Sequence, residues 1–416
     1  MSAVSTPYQL QNQLQQQMSQ FSFRYFDGSL ILFLLLFLSL GLIMIGSSSV
    51  SYATEMTGNS LHYLQRQLIF IGIGLGAGIF TFLIPSKLWR DYGWALMLLA
   101  ICLLVLVLIP GIGREVNGSR RWISIGSIGL QVSEFAKLAT VIFVASYIDR
   151  NRHLLVEGTK GLVRILLPVV IMVGLLLCEP DLGGAFVLVV TAMSMLFVAG
   201  ARLRHFLILV TVGSVLLALA VYTSPYRMRR LVAFLDPWAD PYNSGFQLTQ
   251  SLIAIGRGEW FGVGLGNSVQ KLLYLPEAHT DFIFAVYAEE FGLLGGLLLL
   301  LLFAFFIAKL FGLSRKLLAC RMGFSGYAVF GFTVMIALQV FINIGVASGL
   351  LPTKGLTLPF ISYGGSSVII LMVFFAVVLR MQWEYSRFDG VDPSEEVTVK
   401  RATQDKAIQS KGRKKK

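Results

Sequence analysis

Charge is what this sequence has least of. Asp, Glu, Lys and Arg together make up 13% of its 416 residues, about half of what a soluble domain carries. Surfaces so poor in charge cannot be solvated, which excludes a string of water-exposed domains. Histidine and cysteine are rarer still, with four and three residues. Cys102, Cys178 and Cys320 are odd in number, far apart and set in or beside apolar runs, so neither a disulfide framework nor a cysteine metal cluster is readable. No His-Glu-x-x-His, Gly-x-Ser-x-Gly or phosphate-loop pattern occurs. Zinc protease, serine hydrolase and ATPase chemistry therefore have no support.

What the chain has in quantity is apolar: 56% hydrophobic residues, with 31 Phe and 41 Gly, and a mean hydropathy of +0.73. Gly in such company suits close helix contacts in a membrane. A hydrocarbon core about 30 Å thick needs roughly 20 apolar residues of helix. Candidate spans fall at 29–50, 67–84, 91–110, 133–148, 162–179, 183–200, 205–223, 282–308, 324–347 and 360–381. The weakest is 133–148, which is short and opens with Glu134 and Lys137. Charge parity retains it. With the N-terminus inside, twelve Lys/Arg fall on short cytoplasmic connections and five on short outer ones, as the positive-inside rule asks. Without that span, ten of the twelve would move outside.

The expectation is an all-α polytopic membrane protein of ten transmembrane helices with both termini cytoplasmic. Residues 1–28 read as a flexible, Gln-rich cytoplasmic tail, 29–382 as the membrane domain and 383–416 as a basic cytoplasmic tail. The net charge of +12 is then mostly a topological signal, and no nucleic-acid partner is implied. A large extracytoplasmic loop, 224–281, joins spans seven and eight. Its apolar anchors Phe234, Leu235, Trp238, Phe246, Trp260 and Phe261 argue for a folded cap or re-entrant lobe, since loops this long are usually functional when ordered.

Polar chemistry gathers on the outer side. After span five come Glu179 and Asp181; Asp181 reads as a helix cap or as a site-shaping acid. The long loop ends in Glu277, His279 and Asp281, with Glu289 two helical turns beyond. Asp281 also reads as a cap, yet capping needs one oxygen, and a carboxylate among like charges in a low dielectric becomes a base. Arg120 and Arg121 precede Trp122 outside, against the charge rule, and suit a phosphate or carboxylate. Ser362, Gly364 and Gly365 lead into span ten behind Lys354, as an anion-binding helix start or as small residues at a helix crossing. Glu134 and Lys137, three apart on one helix face, read as a structural ion pair. Carboxylates, cations and aromatics facing outward beside lipid suit an activated lipid-linked substrate, whose diphosphate needs neutralising and whose acceptor hydroxyl needs a base.

Several stretches resemble one known family closely: Arg121-Trp122-Ile123 with Ser133-Glu134-Phe135-Ala136-Lys137, Pro180-Asp181-Leu182-Gly183, Phe234-Leu235-Asp236-Pro237, Tyr274 to Phe282, and Leu358 to Ser367. They resemble the SEDS family of FtsW, RodA and SpoVE proteins over roughly residues 30–382. Leu351 to Thr357 and Asn267 to Lys271 are more similar to its division branch, in proteobacteria, than to its elongation branch. Val132 stands where the family commonly has Pro. The resemblance implies a ten-helix peptidoglycan glycosyltransferase of the bacterial inner membrane at the division septum, with its site facing the periplasm. It implies lipid II as substrate, a class B penicillin-binding protein and other divisome membrane proteins as partners, and Asp281 as the essential loop acid. Trp122 takes the place of the family's Arg-Trp tryptophan. A divalent cation, magnesium or manganese, is an open companion of the diphosphate. Two other classes, a lipid II flippase and a non-catalytic division scaffold, stay in view.

Overall fold

In the computed structural model helices occupy every expected span that falls on described residues. It describes residues 25–389 apart from 117–118, 126–127, 158, 202–210, 212, 214, 216–221 and 224. Span seven lies mostly outside the described residues, as do most of both tails. The longer helices are α1 (Gly28–Ser48), α3 (His62–Leu83), α5 (Gly93–Leu108), α6 (Val132–Glu157), α7 (Thr159–Cys178), α8 (Leu182–Val198), α11 (Ile283–Ala319), α12 (Gly323–Ala347) and α13 (Ser366–Asp389). Shorter helices are α2 (Val50–Thr57), α4 (Ser86–Asp91), α9 (Pro225–Leu235) and α10 (Phe246–Arg257). Among the described residues six helices, α1, α3, α7, α11, α12 and α13, are long and apolar enough to cross a bilayer, while α5 and α8 are apolar but shorter. Helices satisfy their own backbone groups, which is why apolar runs in lipid take this form.

The main unit, residues 30–380, places α12 and the first part of α13 at its centre, mostly buried, and leaves α1, α3, α7 and α11 with large outward apolar surfaces. α12 packs against α11, α6 and α8, and α6 against α5 and α7. Gly41 of α1 lets backbone approach backbone: a Cβ there would lie 2.8 Å from the Phe360 carbonyl oxygen. Tyr25–Ser29 and Met381–Asp389 belong to a small unit of their own. In it, the Gln382 amide accepts from the Asp27 N–H (3.2 Å) and donates to the Tyr25 carbonyl (3.1 Å).

The expectation of an all-α chain needs correction. The connection before α6 is a three-stranded antiparallel sheet, β1 (Gly113–Val116), β2 (Ser119–Ile125) and β3 (Ile128–Gln131), in that order. Trp122 pairs with Arg114 on one side and Gln131 on the other. The alternation Arg121, Ile123, Ile125 against Arg120, Trp122, Ser124 has the period of two that a pleated strand presents. The strands are short enough for a loop rich in Gly and Ser to hide them. Span ten also starts later than expected, at Ser366. Pro359 and the left-handed Gly365 (φ 42°) keep 355–365 out of the helix. The segment 224–281 carries α9 and α10, so it has secondary structure of its own.

Candidate functional site

Asp281 stands in a turn locked from three sides. Glu277, itself left-handed (φ 56°), offers its carbonyl to the N–H groups of Thr280 and Phe282 (both 3.2 Å). The chain at 356–363 is stitched to this turn. Ser362 Oγ donates to the Thr280 carbonyl (2.6 Å) and accepts from the Leu358 N–H (2.8 Å), and the Tyr363 N–H donates to the His279 carbonyl (3.0 Å). From α12, Asn343 Nδ2 donates both to the Asp281 carbonyl (2.8 Å) and to the Leu356 carbonyl (2.7 Å). One amide thus joins the acid's backbone to the opposite wall. The carboxylate faces Gly355, where a Cβ would come within 2.8 Å of Asp281 Oδ2; any side chain there would displace the acid.

Burial, and then the neighbouring Glu277, push the Asp281 carboxyl up to about 7, against the pull of Arg230 and Arg121. The low-dielectric setting outweighs two cations, because desolvation penalises the charged form directly. Arg230 comes from α9 and donates to the Thr353 carbonyl (3.3 Å). It was not among the residues singled out from the sequence; the basic run Arg227, Arg229, Arg230 was the only signal available. Arg121 reaches across from β2, donating through Nε to the Glu179 carbonyl (2.9 Å) and through Nη2 to the Pro180 carbonyl (2.7 Å). Arg120 points elsewhere, pairing with Glu115 (3.1 Å) at the exposed sheet edge. The two adjacent arginines therefore part company, as strand neighbours must. Trp122, on the same side of β2 as Arg120, packs on Gly129, where a Cβ would sit 3.3 Å from the indole.

Glu179 and Asp181 serve different ends. Asp181 Oδ1 accepts from the Gly184 N–H (3.0 Å) and caps α8, which completes the capping side of the expectation. Glu179 is wholly buried and neither carboxyl oxygen has a hydrogen-bond partner. Burial, with Asp181 adding to it, pushes its carboxyl up to about 8, and Arg121 opposes the shift. A raised acid stabilises the folded chain fully below its unfolded value, and that stability is lost as pH rises through the folded one. At neutral pH Glu179 is thus a neutral acid. Glu179→Gln is expected to keep neutral-pH activity and to raise thermal stability relative to the parent between pH 8 and 9, measured by melting curves in detergent at pH 6 and pH 9.

His279 is buried, and burial pushes it below the usual histidine range, leaving a neutral ring among Tyr63 (centroids 4.6 Å), Tyr52 (5.2 Å) and Tyr363 (5.7 Å). It braces the turn against α2 and α3. At the start of α13, Ser366 Oγ accepts from the Gln131 N–H (3.0 Å) and the Ser367 N–H donates to Gly364 (2.6 Å). Ser366 thereby ties the helix start to β3. Lys354 lies next to Gly355, its carbonyl accepting from the Leu356 N–H (3.1 Å). Deeper, Lys137 Nζ donates to Glu134 Oε1 (2.8 Å), both buried on α6.

One expectation fails. Glu289 does not turn toward Asp281: it accepts from Ser268 Oγ and from the N–H groups of Val269 (3.0 Å) and Gln270 (3.3 Å). Eight residues of regular helix would bring the two acids to one face, but α11 starts only at Ile283 and the turn before it swings Asp281 away. Among the described residues no three acids, histidines or cysteines converge as a ligand set.

Residues 28–387 match a family described as cell cycle protein, FtsW, RodA and SpoVE. A probable peptidoglycan glycosyltransferase FtsW of Saccharophagus degradans is 49% identical over 88% of this chain and 94% of its own length. Among solved structures, a chain from a peptidoglycan synthase complex superposes with a TM-score of 0.72 at 30% identity, covering 86% of this chain and 98% of that one. The rod shape determining protein RodA of Thermus thermophilus superposes with a TM-score of 0.64 at 31% identity, over 86% and 96%.

Proposed function

The chain belongs to the FtsW, RodA and SpoVE family of cell cycle proteins, and from that premise we infer that it is a peptidoglycan glycosyltransferase acting on lipid II. In this reading ten helices cross the bacterial inner membrane, both termini are cytoplasmic, and the segment 224–281 with the sheet 113–131 forms a periplasmic face at the division septum. Asp281 takes the proton of the acceptor sugar's 4-hydroxyl. The freed oxygen attacks the anomeric carbon of the lipid-linked donor, the bond to the diphosphate breaks, and undecaprenyl diphosphate leaves with inversion at that carbon.

The observation that carries this reading is the Asp281 carboxyl. It is raised to about 7, it faces the bare Gly355 backbone, and two arginines from separate elements act on it. A base with a value near working pH is best placed to take a proton and give it up again. Arg121, Arg230 and Lys354 are the cations we assign to the diphosphate, where charge develops as the bond breaks. Trp122, Glu277 and the turn at Ser362, Gly364 and Gly365 line the approach, Asp181 and His279 brace it, and Arg120 takes a peripheral share. A class B penicillin-binding protein is the partner we propose for cross-linking, alongside other membrane proteins of the division machinery.

Purified protein, alone and with that partner, is to be given labelled lipid II in detergent and in liposomes. Glycan polymer is the expected product. Transfer between leaflets without polymer would make the chain a flippase, and neither product in the presence of an active partner would make it a scaffold.

A further inference from the structure

The helical stretch that follows Asp281 is held by a joint that the chemistry above does not use. α11 is broken at Gly292 (φ 69°, ψ −168°), which frees backbone groups on both sides. The turn after α10 takes them up. The N–H groups of Leu293 and Leu294 donate to the Glu259 and Trp260 carbonyls (2.8 and 3.1 Å), and those of Val263 and Gly264 donate to the Glu289 and Glu290 carbonyls (3.0 and 3.1 Å). A broken helix is tolerated in apolar surroundings when its freed groups are satisfied this way. The approach excludes side chains. A Cβ at Gly262 (φ 82°) would lie 2.2 Å from the Glu290 carbonyl oxygen, and one at Gly292 would lie 2.4 Å from the Gly262 nitrogen.

Side chains fix the same joint. Glu290 accepts from Lys271 Nζ (2.9 Å) and from Ser47 Oγ of α1 (2.6 Å), and Lys271 also donates to Ser47 (2.9 Å). Glu289, Glu290 and Lys271 are buried, as is every residue of the stretch Ile283–Glu290 between the joint and Asp281. Apolar residues of similar volume often stabilise a core as well as a buried ion pair does. Retaining two acids and a lysine here therefore speaks for a specified geometry more than for stability.

We propose that the Gly262–Gly292 joint and the Lys271–Glu290–Ser47 cluster are a positioning device: they clamp the far end of the Ile283–Glu290 stretch so that Asp281, two residues before its start, stays against Gly355 and Asn343. Lys271, Glu290 and Ser47 act through Asp281 and touch no reacting atom. The inference rests on Asp281 as the proton acceptor. A displacement of about 1 Å at a reacting group can lower turnover a hundredfold, so a clamp at a distance has kinetic leverage.

The test uses the full chain in detergent with its partner synthase present, and the variants Lys271→Met, Glu290→Gln, Lys271→Arg and Ser47→Ala beside Asp281→Ala. Polymerisation is followed across lipid II concentrations, and hydrogen exchange is read on peptides covering 277–291. Lys271→Met and Glu290→Gln are expected to lower kcat about tenfold or more with KM unchanged, and to speed exchange in 277–291. Lys271→Arg is expected to recover most of the loss. Ser47→Ala, mild enough to fold if the charge variants do not, is expected to lower kcat by about threefold, again at constant KM. Folded variants with wild-type kcat, or losses confined to KM, overturn the device. An active Asp281→Ala would instead overturn the assignment of the base.

Discussion

Asp281→Asn is expected to lower glycan polymerisation by about 10²–10⁴-fold while leaving the protein folded and inserted. Asn has nearly the shape of Asp and still fits against Gly355. The Asn343 bond goes to the backbone carbonyl of residue 281, so it survives the change. Only the proton acceptor is lost. The pH dependence separates this from a packing defect. With its carboxyl at about 7, the wild-type enzyme needs the deprotonated form, so its rate should fall roughly tenfold per unit below about pH 6 and level off above about pH 8. Residual activity of the Asn variant should lack that step. Stability should move the other way. The raised carboxyl contributes stability fully below its unfolded value, and that contribution is lost as pH rises through 7. The Asn variant should therefore melt higher than the parent at pH 8. Gel-resolved polymer from labelled lipid II and melting curves at pH 5 and pH 8 check both expectations. Wild-type polymerisation by the Asn variant would remove Asp281 from the mechanism.

The largest effect on stability is expected at α6. Lys137→Met leaves Glu134 without its partner in a site where both side chains are at most 8% exposed. Removing one member of a buried pair costs about 3–5 kcal/mol. Glu134→Gln should be destabilising as well, because it leaves Lys137 buried without its partner. The double variant Glu134→Leu/Lys137→Met should recover a large part of the loss, because neither charge remains to be desolvated. Denaturant unfolding of the three variants in one detergent decides it. A double variant as unstable as the two singles combined would show that the residues act separately.

The membrane helices were legible because lipid imposes one simple demand, long apolar runs with internal hydrogen bonding. Even the helix α6, with Glu134 and Lys137 at its start, was anticipated from the placement of Lys and Arg. The sheet at 113–131 was not, because strands of four to seven residues separated by Gly and Ser carry too little periodicity. The start of α13 was misjudged for the same local reason: Phe360 and Ile361 are as apolar as the helix that follows, and only the Pro359 and Gly365 geometry separates them.

At the candidate site, the sequence determined which residues to follow. Scarcity of charge singled out Asp281, Arg120, Arg121, Glu277 and Lys354 before any fold was known, because an ionisable group in or beside a bilayer is too costly to keep without a use. The tertiary structure decided the roles. It sent Arg121 across to the Glu179 and Pro180 carbonyls and Arg120 to the rim, although the two are neighbours in the chain. It brought in Arg230 from α9, turned Glu289 away to the 268–270 turn, and set Asp281 against Gly355 of a segment more than seventy residues distant. None of these follows from local spacing, because each depends on which backbones approach, and that is settled by long-range packing. The value of the Asp281 carboxyl belongs to the same class, since desolvation is a property of the surroundings and is written only in the folded chain.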